Sequence, residues 1–600
     1  MLGCLPFTPF TISASTLVVV VGLCGLLGSH RVLRWPLLLV AGAHIAVALC
    51  AVAALVATLA AWDALVARFR LGRAESKLFQ RLDAATSRAD YLEAAKRCDE
   101  SAAVTAWRAV AEHPRYNAGI VMSALSRLRA ARVGGSIEEL HDALAHCVRK
   151  SFAGIDDEEL YSRCHAGTKR LIESYVDEVV AALGALQTRL SDDGEAPALD
   201  KARALLWRSR RVFGRTCLAL SGGGGLANFS WGVARALLDE GLLPSLICGT
   251  SAGAVVAAAL CCHTERELDS LLRPEALAAQ LTSFEEERRV VLRRALLTGH
   301  MYDAARWAPK IRTLCNHAKH PHMTFAEVFS LTGKELCITV TARRRHEPPL
   351  VLSRLSSPDV TVASAVLATV AMPFLLPPQR LLCKTPSGAL QPWAAASESD
   401  GGAEPSESGP DAGGEWRDGS IVHDTPRELL AQHFGVSYTL TSQCNPHVVP
   451  LALALRPTAG RPAVSRLQRG RSDWRGSFAL SSLLLLLLSE ARKWLTVMRE
   501  LELIPLILDT DWSSLLLQDF SGEATILPPM ELADYTRALS DPTAADMQRY
   551  LGIGQRECWR KMSMLATRLR IARALQELQA AVLERGGEAK AGDERESSMF

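Results

Sequence analysis

Ser251 is the residue with the clearest potential for chemistry. It lies in the pentapeptide Gly-Thr-Ser-Ala-Gly of residues 249–253, between an apolar run that ends at Cys248 and a run of small apolar residues. This G-x-S-x-G pattern is typical of a nucleophile elbow, a tight turn from a strand into a helix. Gly249 and Gly253 suit such a turn because a Cβ there would collide with neighbouring backbone. The pattern predicts that Ser251 is a catalytic nucleophile.

A glycine-rich loop precedes this serine, between a predicted strand at residues 216–220 and a predicted helix at residues 229–240. A P-loop would need a following Gly-Lys-Ser/Thr, which is absent. A dinucleotide fingerprint is incomplete because Ala227 stands at its last glycine position. An oxyanion hole explains both motifs, since a βαβ unit brings the loop and Ser251 to one edge of a sheet. The predicted oxyanion-hole residues are Gly222, Gly223, Gly224 and Gly225.

A serine hydroxyl also needs a base to accept its proton, and Asp418 is the candidate. It starts an Asp-Gly turn before an apolar stretch, and a helix is expected after Asp424. An Asp-Gly pair alone usually marks only a turn. Two catalytic arrangements remain open. One is a Ser–Asp dyad, and the other is a Ser-Asp-His triad that would use His433 or His447.

Composition excludes several other classes. The 67 basic and 64 acidic residues nearly balance, and no basic block is interleaved with aromatic residues, so no nucleic-acid partner is expected. The 15 cysteines contain no C-x-x-C pair. This favours reduced thiols over a disulfide framework or a zinc site. We therefore expect no metal and no cofactor.

Two uncharged apolar segments occur near the N-terminus, at about residues 10–29 and 35–62. The second is long enough to span a hydrocarbon core, and the first is borderline. A cleaved signal peptide is not favoured, because no basic region precedes the first segment. Basic residues follow both segments, so the positive-inside rule does not decide between two spans and a hairpin. The sequence predicts membrane attachment.

Three motifs in this order resemble the patatin-like phospholipase family: Ser-Gly-Gly-Gly at residues 221–224, the elbow at 249–253 and Asp-Gly at 418–419. The likeness is closest to the eukaryotic triacylglycerol-lipase branch and covers roughly residues 107–578. It implies an α/β fold with a three-layer core and a central, mostly parallel sheet. It also implies hydrolysis of lipid acyl esters by a Ser–Asp dyad without histidine. The chain departs from the family at Ala227, where a glycine is usual, and it lacks an H-x-x-x-x-D acyltransferase motif.

These observations predict five segments along the chain. They are membrane segments (1–75), a helical region (76–215), a catalytic domain (216–455) with a disordered acidic insertion at about 392–415, a C-terminal helical region (456–585) and a disordered tail (586–600). The predicted protein is a membrane-associated triacylglycerol lipase. Its expected partners are a lipid substrate and a membrane or lipid-droplet surface, at the endoplasmic reticulum or a lipid droplet, with the catalytic domain facing the cytosol. The alternatives are a phospholipase, a lysophospholipid acyltransferase or transacylase, and a scaffold with a decayed site.

Overall fold

The chain divides into two compact units, one of residues 1–68 and 468–518 and the other of residues 69–467 and 519–600. The predicted catalytic residues all lie in the second, larger unit. The computed structural model describes residues 73–193, 196–317, 320–343, 349–393, 414–449, 477–500, 513–518 and 520–589, with Ile504 and scattered residues between 42 and 58.

Helices occupy most of the larger unit before its first strand. They are α1 (Arg73–Ala84), α2 (Arg88–Asp99), α3 (Ala102–Ala109), α4 (Ala118–Gly134), α5 (Ile137–Cys147), α6 (Arg170–Asp193) and α7 (Ala196–Val212). The α5 helix starts with a capping box, in which Ser136 and Glu139 satisfy each other's backbone N–H groups. Leu140 and Leu144, one helical turn apart, are fully buried. Local caps and apolar spacing together define these helices.

A central sheet organises the catalytic part of the larger unit. The described strands are β1 (Arg215–Leu220), β2 (Leu246–Gly249), β3 (Glu335–Ala342), β4 (Leu350–Leu352), β5 (Gln379–Arg380), β6 (Leu382–Lys384), β7 (Leu390–Pro392), β8 (Glu415–Asp418), β9 (Val436–Ser442) and β10 (Ala524–Ile526). The sheet order is β10-β9-β1-β2-β3-β8-β5, and β4 also pairs with β3. Strands β10 to β3 in this order run parallel, whereas β4, β5 and β8 pair in antiparallel fashion. A separate hairpin consists of β6 and β7.

The register of the parallel strands brings three loops to one sheet edge. Leu220 at the end of β1 pairs with Gly249 on β2 and with Ser442 on β9. The glycine loop, the serine elbow and the loop after β9 therefore leave the sheet side by side. Asp418 ends β8 and pairs with Val340 on β3, the strand next to β2.

Helices cover both faces of this sheet. The helices described between β1 and β9 are α8 (Phe229–Asp239), α9 (Ala252–Cys262), α10 (Glu265–Leu271), α11 (Pro274–Gln280), α12 (Arg288–Thr298), α13 (Ala304–Cys315), α14 (Phe325–Thr332), α15 (Val362–Thr369) and α16 (Arg427–Phe434). Leu218 of β1 faces the main core, which includes α8 and α9, while Cys217 packs on the other face with Leu430 of α16. This alternation confirms the predicted α/β fold with a central, mostly parallel sheet.

The later part of the chain is helical except for β10. Its helices are α17 (Ser477–Glu500), α18 (Ser514–Leu517), α19 (Leu532–Thr536) and α20 (Ala544–Ala589). In the smaller unit, Arg492 of α17 donates a 2.9 Å hydrogen bond to the Gln518 carbonyl. In the larger unit, α20 crosses α8 at two glycines. A Cβ on Gly554 would lie 2.1 Å from the Phe229 carbonyl oxygen, and one on Gly232 would lie 2.1 Å from the Leu551 carbonyl oxygen.

The structure differs from the predicted organisation at two places. The segment predicted as a C-terminal helical region contains β10, which extends the central sheet by pairing with β9. The α20 helix continues to Ala589, four residues into the predicted disordered tail. Residues 590–600 and 394–413, which include most of the predicted acidic insertion, lie outside the described residues.

The predicted membrane segments are not shown. Residues 10–29 lie outside the described part of the chain, and only scattered residues of the segment 35–62 are described. Within the described residues, no helix has both the length and the apolar character needed to cross a membrane.

Candidate active site

Ser251 lies on a strained turn between β2 and α9. Its φ of 53° and ψ of −132° are outside the regions that L-residues favour. A Cβ at Gly249 would lie 2.5 Å from Ala254 Cα, and one at Gly253 would lie 2.2 Å from the Leu220 carbonyl oxygen. The two glycines therefore permit close packing of helix on strand, while the backbone strain falls on the serine itself.

Thr369, at the end of α15, attaches this elbow to the sheet. Its hydroxyl accepts a 2.9 Å hydrogen bond from the Ser251 N–H and donates a 2.7 Å bond to the Thr339 carbonyl of β3. Thr369 is fully buried, so both bonds are shielded from water. The sequence does not predict this role for Thr369, because no motif marks a threonine that acts through backbone contacts.

Asp418 is a fully buried carboxylate beside the serine. Its Oδ1 accepts a 2.8 Å hydrogen bond from the Ser420 N–H, whereas its Oδ2 has no hydrogen-bond partner among the described residues. Burial raises the pKa of Asp418 to about 6, and the nearby Ser251 hydroxyl and the Ser420 N–H act in the opposite direction. The Ser251 hydroxyl is thus close enough to affect this carboxylate, although it makes no hydrogen bond of normal geometry to Oδ2. Catalytic hydrogen bonds are often long before substrate binds.

Neither of the two histidines considered for a triad bonds to this carboxylate. His433 is an exposed residue of α16. The His447 ring packs edge-on against Phe520, with 5.1 Å between the ring centroids. Among the described residues, the hydrogen bonds of Asp418 involve no histidine. The geometry therefore favours a serine paired directly with an aspartate.

The glycine loop contributes fewer free N–H groups than the sequence predicted. The Gly222 N–H donates to Asp424 Oδ1 (2.9 Å), and the Gly225 N–H donates to the Ala538 carbonyl (2.7 Å), so neither is available to an oxyanion. The N–H groups of Gly223 and Gly224 have no acceptor among the described residues. These two glycines have φ values of 133° and 60°, which favour glycine. Of the four glycines predicted for the oxyanion hole, Gly223 and Gly224 therefore remain the candidate donors.

The position of Gly222 explains why it must still be a glycine. A Cβ on this residue would lie 3.1 Å from Ser251 Cβ, in a tight contact with the nucleophile. Ala227, the departure from the family pattern, is buried in the short 3₁₀-helix that follows the loop, at Gly224–Asn228.

Asp424 is a second buried carboxylate, at a position where the sequence predicts only the start of a helix. Its Oδ2 accepts hydrogen bonds from Asn445 Nδ2 (2.8 Å) and Gln443 Nε2 (3.3 Å), and its backbone carbonyl accepts one from Thr250 Oγ1 (2.8 Å). Together with its bond to Gly222, these contacts join the glycine loop, the elbow and the loop after β9. Burial raises the pKa of Asp424 to about 7, despite the donors around it.

Other reactive groups near the site are structural. The Cys248 and Cys261 thiols are buried, and burial raises the pKa of each to about 12. Both remain protonated at neutral pH and act as small core residues. In the described part of the chain, no cluster of His, Cys, Asp and Glu has the arrangement of a metal site.

Comparison with known proteins identifies the family of this chain. The patatin-like phospholipase model matches residues 218–430, which include Ser251, Asp418 and Asp424, and a domain of unknown function (DUF3336) matches residues 67–204. A patatin-like phospholipase domain-containing protein of Pyricularia oryzae (strain 70-15) is 34% identical, over 91% of this chain and 68% of its own length. The chain belongs to the patatin-like phospholipase family. This membership confirms the resemblance found in the sequence.

Other patatin-like phospholipase domain-containing proteins show the same relationship. That of Chaetomium globosum is 35% identical, over 85% of this chain and 58% of its own length. That of Lodderomyces elongisporus is 31% identical, over 95% of this chain and 66% of its own length. Among solved structures, VipD from Legionella pneumophila matches 56% of this chain and 66% of its own at 14% identity, with a TM-score of 0.23, too low to bear on the fold.

Proposed function

We propose that this patatin-like protein hydrolyses lipid acyl esters, with Ser251 as the nucleophile and Asp418 as the general base. The observation that carries the proposal is the buried Asp418 carboxylate beside Ser251, with an Oδ2 that has no hydrogen-bond partner among the described residues. That oxygen is available to accept the hydroxyl proton. A pKa of about 6 keeps Asp418 mostly ionised at neutral pH and makes it a stronger base than an ordinary aspartate.

The proposed reaction proceeds through an acyl-enzyme. The Ser251 Oγ forms a bond to the ester carbonyl carbon while its proton passes to Asp418. The Gly223 and Gly224 N–H groups donate to the carbonyl oxygen as it becomes an oxyanion. The bond to the alcohol oxygen then breaks, and Asp418 returns the proton to that oxygen. Water repeats the attack on the acyl-enzyme, gives its proton to Asp418 and releases the fatty acid as Ser251 recovers a proton.

Triacylglycerol is the substrate we favour, since the sequence motifs are closest to the triacylglycerol-lipase branch. Phospholipid is the second choice, and the names of the matching family model and relatives support it. Both substrates occur in lipid aggregates, so we place the reaction at a membrane or lipid-droplet surface that faces the cytosol, at the endoplasmic reticulum or on droplets.

The test is fatty-acid release by purified protein from labelled triacylglycerol and, separately, from labelled phospholipid. We expect release by wild type and by Ser330→Ala, a control at an exposed serine of α14, and none by Ser251→Ala. Equal release by wild type and Ser251→Ala would overturn the proposal. Adding lysophospholipid as an acyl acceptor distinguishes hydrolysis from transacylation, because a transacylase would form labelled diacyl lipid in place of fatty acid.

A further inference from the structure

The α12 helix has an unusual surface for a helix of a catalytic domain. Its sequence is Arg-Arg-Val-Val-Leu-Arg-Arg-Ala-Leu-Leu-Thr, and only Val291 is buried. Its other large apolar side chains are exposed, namely Val290 (43%), Leu292 (62%), Leu296 (79%) and Leu297 (72%). Exposed apolar residues at this density mark a contact with another molecule or with a lipid surface.

Three arginines lie among these apolar side chains. Arg288, Arg289 and Arg293 are exposed, and none forms an ion pair with another described residue. Residues four apart lie on one side of a helix, so the Leu292–Leu296 stripe runs beside the Arg289–Arg293 stripe. The surface is therefore apolar and cationic at the same time.

Arg294 shows the contrasting case of an arginine that serves the fold. It forms two hydrogen bonds with the Glu286 carboxylate, at 2.5 and 3.0 Å, and a third with the Met301 carbonyl at 3.0 Å. These bonds attach the buried side of α12 to its flanking residues. The apolar and cationic surface consequently faces away from the domain.

The N-terminal end of α12 is attached near the oxyanion loop. Asp541 accepts hydrogen bonds from the Ser283 and Phe284 N–H groups, just before α12. Three residues before Asp541, the Ala538 carbonyl accepts the Gly225 N–H. The neighbouring side chain, Leu539, is 45% exposed.

The C-terminal end of α12 is attached near Asp418. The Met301 and Tyr302 N–H groups donate to the carbonyls of Phe374 and Leu375, at 2.7 and 2.9 Å. Shortly before these residues, the Ala371 carbonyl accepts the Asp418 N–H at 3.2 Å. The segments that flank α12 on both sides are thus bonded to segments that also hold groups of the proposed active site.

We infer that α12 binds a phospholipid surface with anionic headgroups and holds the mouth of the active site against it. Leucines enter the boundary between headgroups and acyl chains, and arginine guanidinium groups bind lipid phosphates in a bidentate manner. Charge alone would suit any acidic partner, but the leucines also need an apolar environment, which the boundary between headgroups and acyl chains provides. That the bound surface supplies substrate rests on the proposed function; the binding itself does not.

The test is vesicle co-sedimentation of the full chain. Neutral vesicles of phosphatidylcholine alone measure binding that does not depend on anionic headgroups, including binding by other apolar parts of the chain. Anionic vesicles of equimolar phosphatidylcholine and phosphatidylserine measure the additional effect of the headgroup charge. The first variant carries Arg288→Glu, Arg289→Glu and Arg293→Glu. Its matched control carries Arg203→Glu, Arg208→Glu and Arg211→Glu, three exposed arginines of α7. The α7 helix leads into the N-terminal end of β1, whereas the candidate active site lies at the C-terminal end of that strand. A third variant carries Leu292→Ser, Leu296→Ser and Leu297→Ser.

We expect the α12 arginine variant to lose roughly 100-fold in affinity for the anionic vesicles, with little change on neutral ones. The leucine variant should lose roughly 10-fold or more on the anionic vesicles. The α7 control should bind as wild type does. Equal losses in the α7 and α12 arginine variants would overturn the inference, since they would indicate attraction by net charge alone. Unchanged binding of the α12 variants would overturn it as well.

Hydrolysis of a soluble short-chain ester separates this inference from the proposed function. We expect all three variants to retain wild-type turnover of such an ester, since they leave the catalytic groups in place. A wild type that binds anionic vesicles through α12 but hydrolyses no ester would contradict the proposed function and support the binding surface. Normal ester hydrolysis without α12-dependent vesicle binding would support the proposed function and contradict the binding surface.

Discussion

Asp424 Oδ1 accepts the Gly222 N–H at 2.9 Å, across 202 positions of sequence. This bond fixes the first glycine of the loop, next to Gly223 and Gly224, whose N–H groups have no acceptor among the described residues. Through Thr250 the same residue also contacts the turn that carries the nucleophile. Asp424 therefore holds the glycine loop beside the turn that carries Ser251. In the proposed mechanism it is a positioning residue, because it orients the proposed oxyanion donors without touching the reacting atoms.

Replacing Asp424 should slow acylation more than it weakens binding. In Asp424→Ala the glycine loop loses the acceptor of its Gly222 N–H. We expect the rate of fluorophosphonate labelling of Ser251 to fall about 10-fold or more, which is less than the roughly 100-fold or greater loss when an oxyanion donor is removed outright. Asp424→Asn keeps an oxygen that can accept the Gly222 N–H, but its Nδ2 would face the Asn445 and Gln443 donors, so it should recover only part of that rate. Labelling and a soluble-ester KM are the measurements. Equal labelling of wild type and Asp424→Ala would show that the loop holds its position without this bond.

The histidine variants decide between the two catalytic arrangements. Because no histidine bonds to Asp418 among the described residues, His433→Ala and His447→Ala should each retain near-normal turnover of a soluble ester. Asp418→Asn should lose it, since an amide cannot accept the serine proton. Turnover and circular dichroism of each variant check this. Loss of turnover in a correctly folded histidine variant would restore the triad.

The sequence predicted those parts of the site that depend on residues close together in the chain, and it did not predict contacts between residues far apart. The serine elbow, the glycine loop and the Asp418 turn carry local signals, because each needs particular residue types at short spacing. The sequence could not predict that the Gly222 and Gly225 N–H groups bond to Asp424 and Ala538, since these residues are distant in sequence and meet the loop only after folding. In α12 the leucines lie beside the arginines on the outward side and only Val291 is buried, so hydrophobic periodicity did not mark this surface.

The strands of the fold also differ in whether the local sequence predicts them. Continuous apolar runs predicted β1 and β2, whereas β10 has only three residues in a mostly helical part of the chain. It is a strand because β9 offers it a free edge, a tertiary effect that local propensity does not record.

The crossing of α8 and α20 gives a prediction about stability. In Gly554→Ala the new Cβ would lie 2.1 Å from the Phe229 carbonyl oxygen, so the helices must separate. We expect a loss of about 1–3 kcal/mol in the free energy of unfolding, as for other overpacked sites. Gly552→Ala, on the same helix, meets only the end of the Arg556 side chain at 3.1 Å and should be neutral or slightly stabilising. Urea unfolding compares the two, and equal stabilities would contradict the close crossing.

The raised pKa of Asp418 predicts where activity is lost on acidification. With a pKa of about 6, the base becomes protonated below that pH, and kcat/KM for a soluble ester should fall about 10-fold per pH unit there. A catalytic histidine would produce a similar decline, so the profile is best measured in the His433→Ala, His447→Ala double variant. Persistence of the decline in that variant assigns it to a carboxylate. A flat profile down to pH 5 would contradict the raised pKa.

The raised pKa also means that the buried Asp418 carboxylate destabilises the fold at neutral pH. Because burial raises the pKa from an ordinary 3.8 to about 6, the native state binds the proton more tightly than the unfolded chain does. The stability from this proton is fully present below about pH 4 and is lost as pH rises through about 6. Asp418→Asn removes the buried charge and keeps an acceptor for the Ser420 N–H. Its free energy of unfolding should match wild type near pH 4 and exceed it by about 3 kcal/mol at pH 8. Urea unfolding at the two pH values measures this difference, and a variant less stable than wild type at pH 8 would show that the Asp418 charge is compensated within the fold.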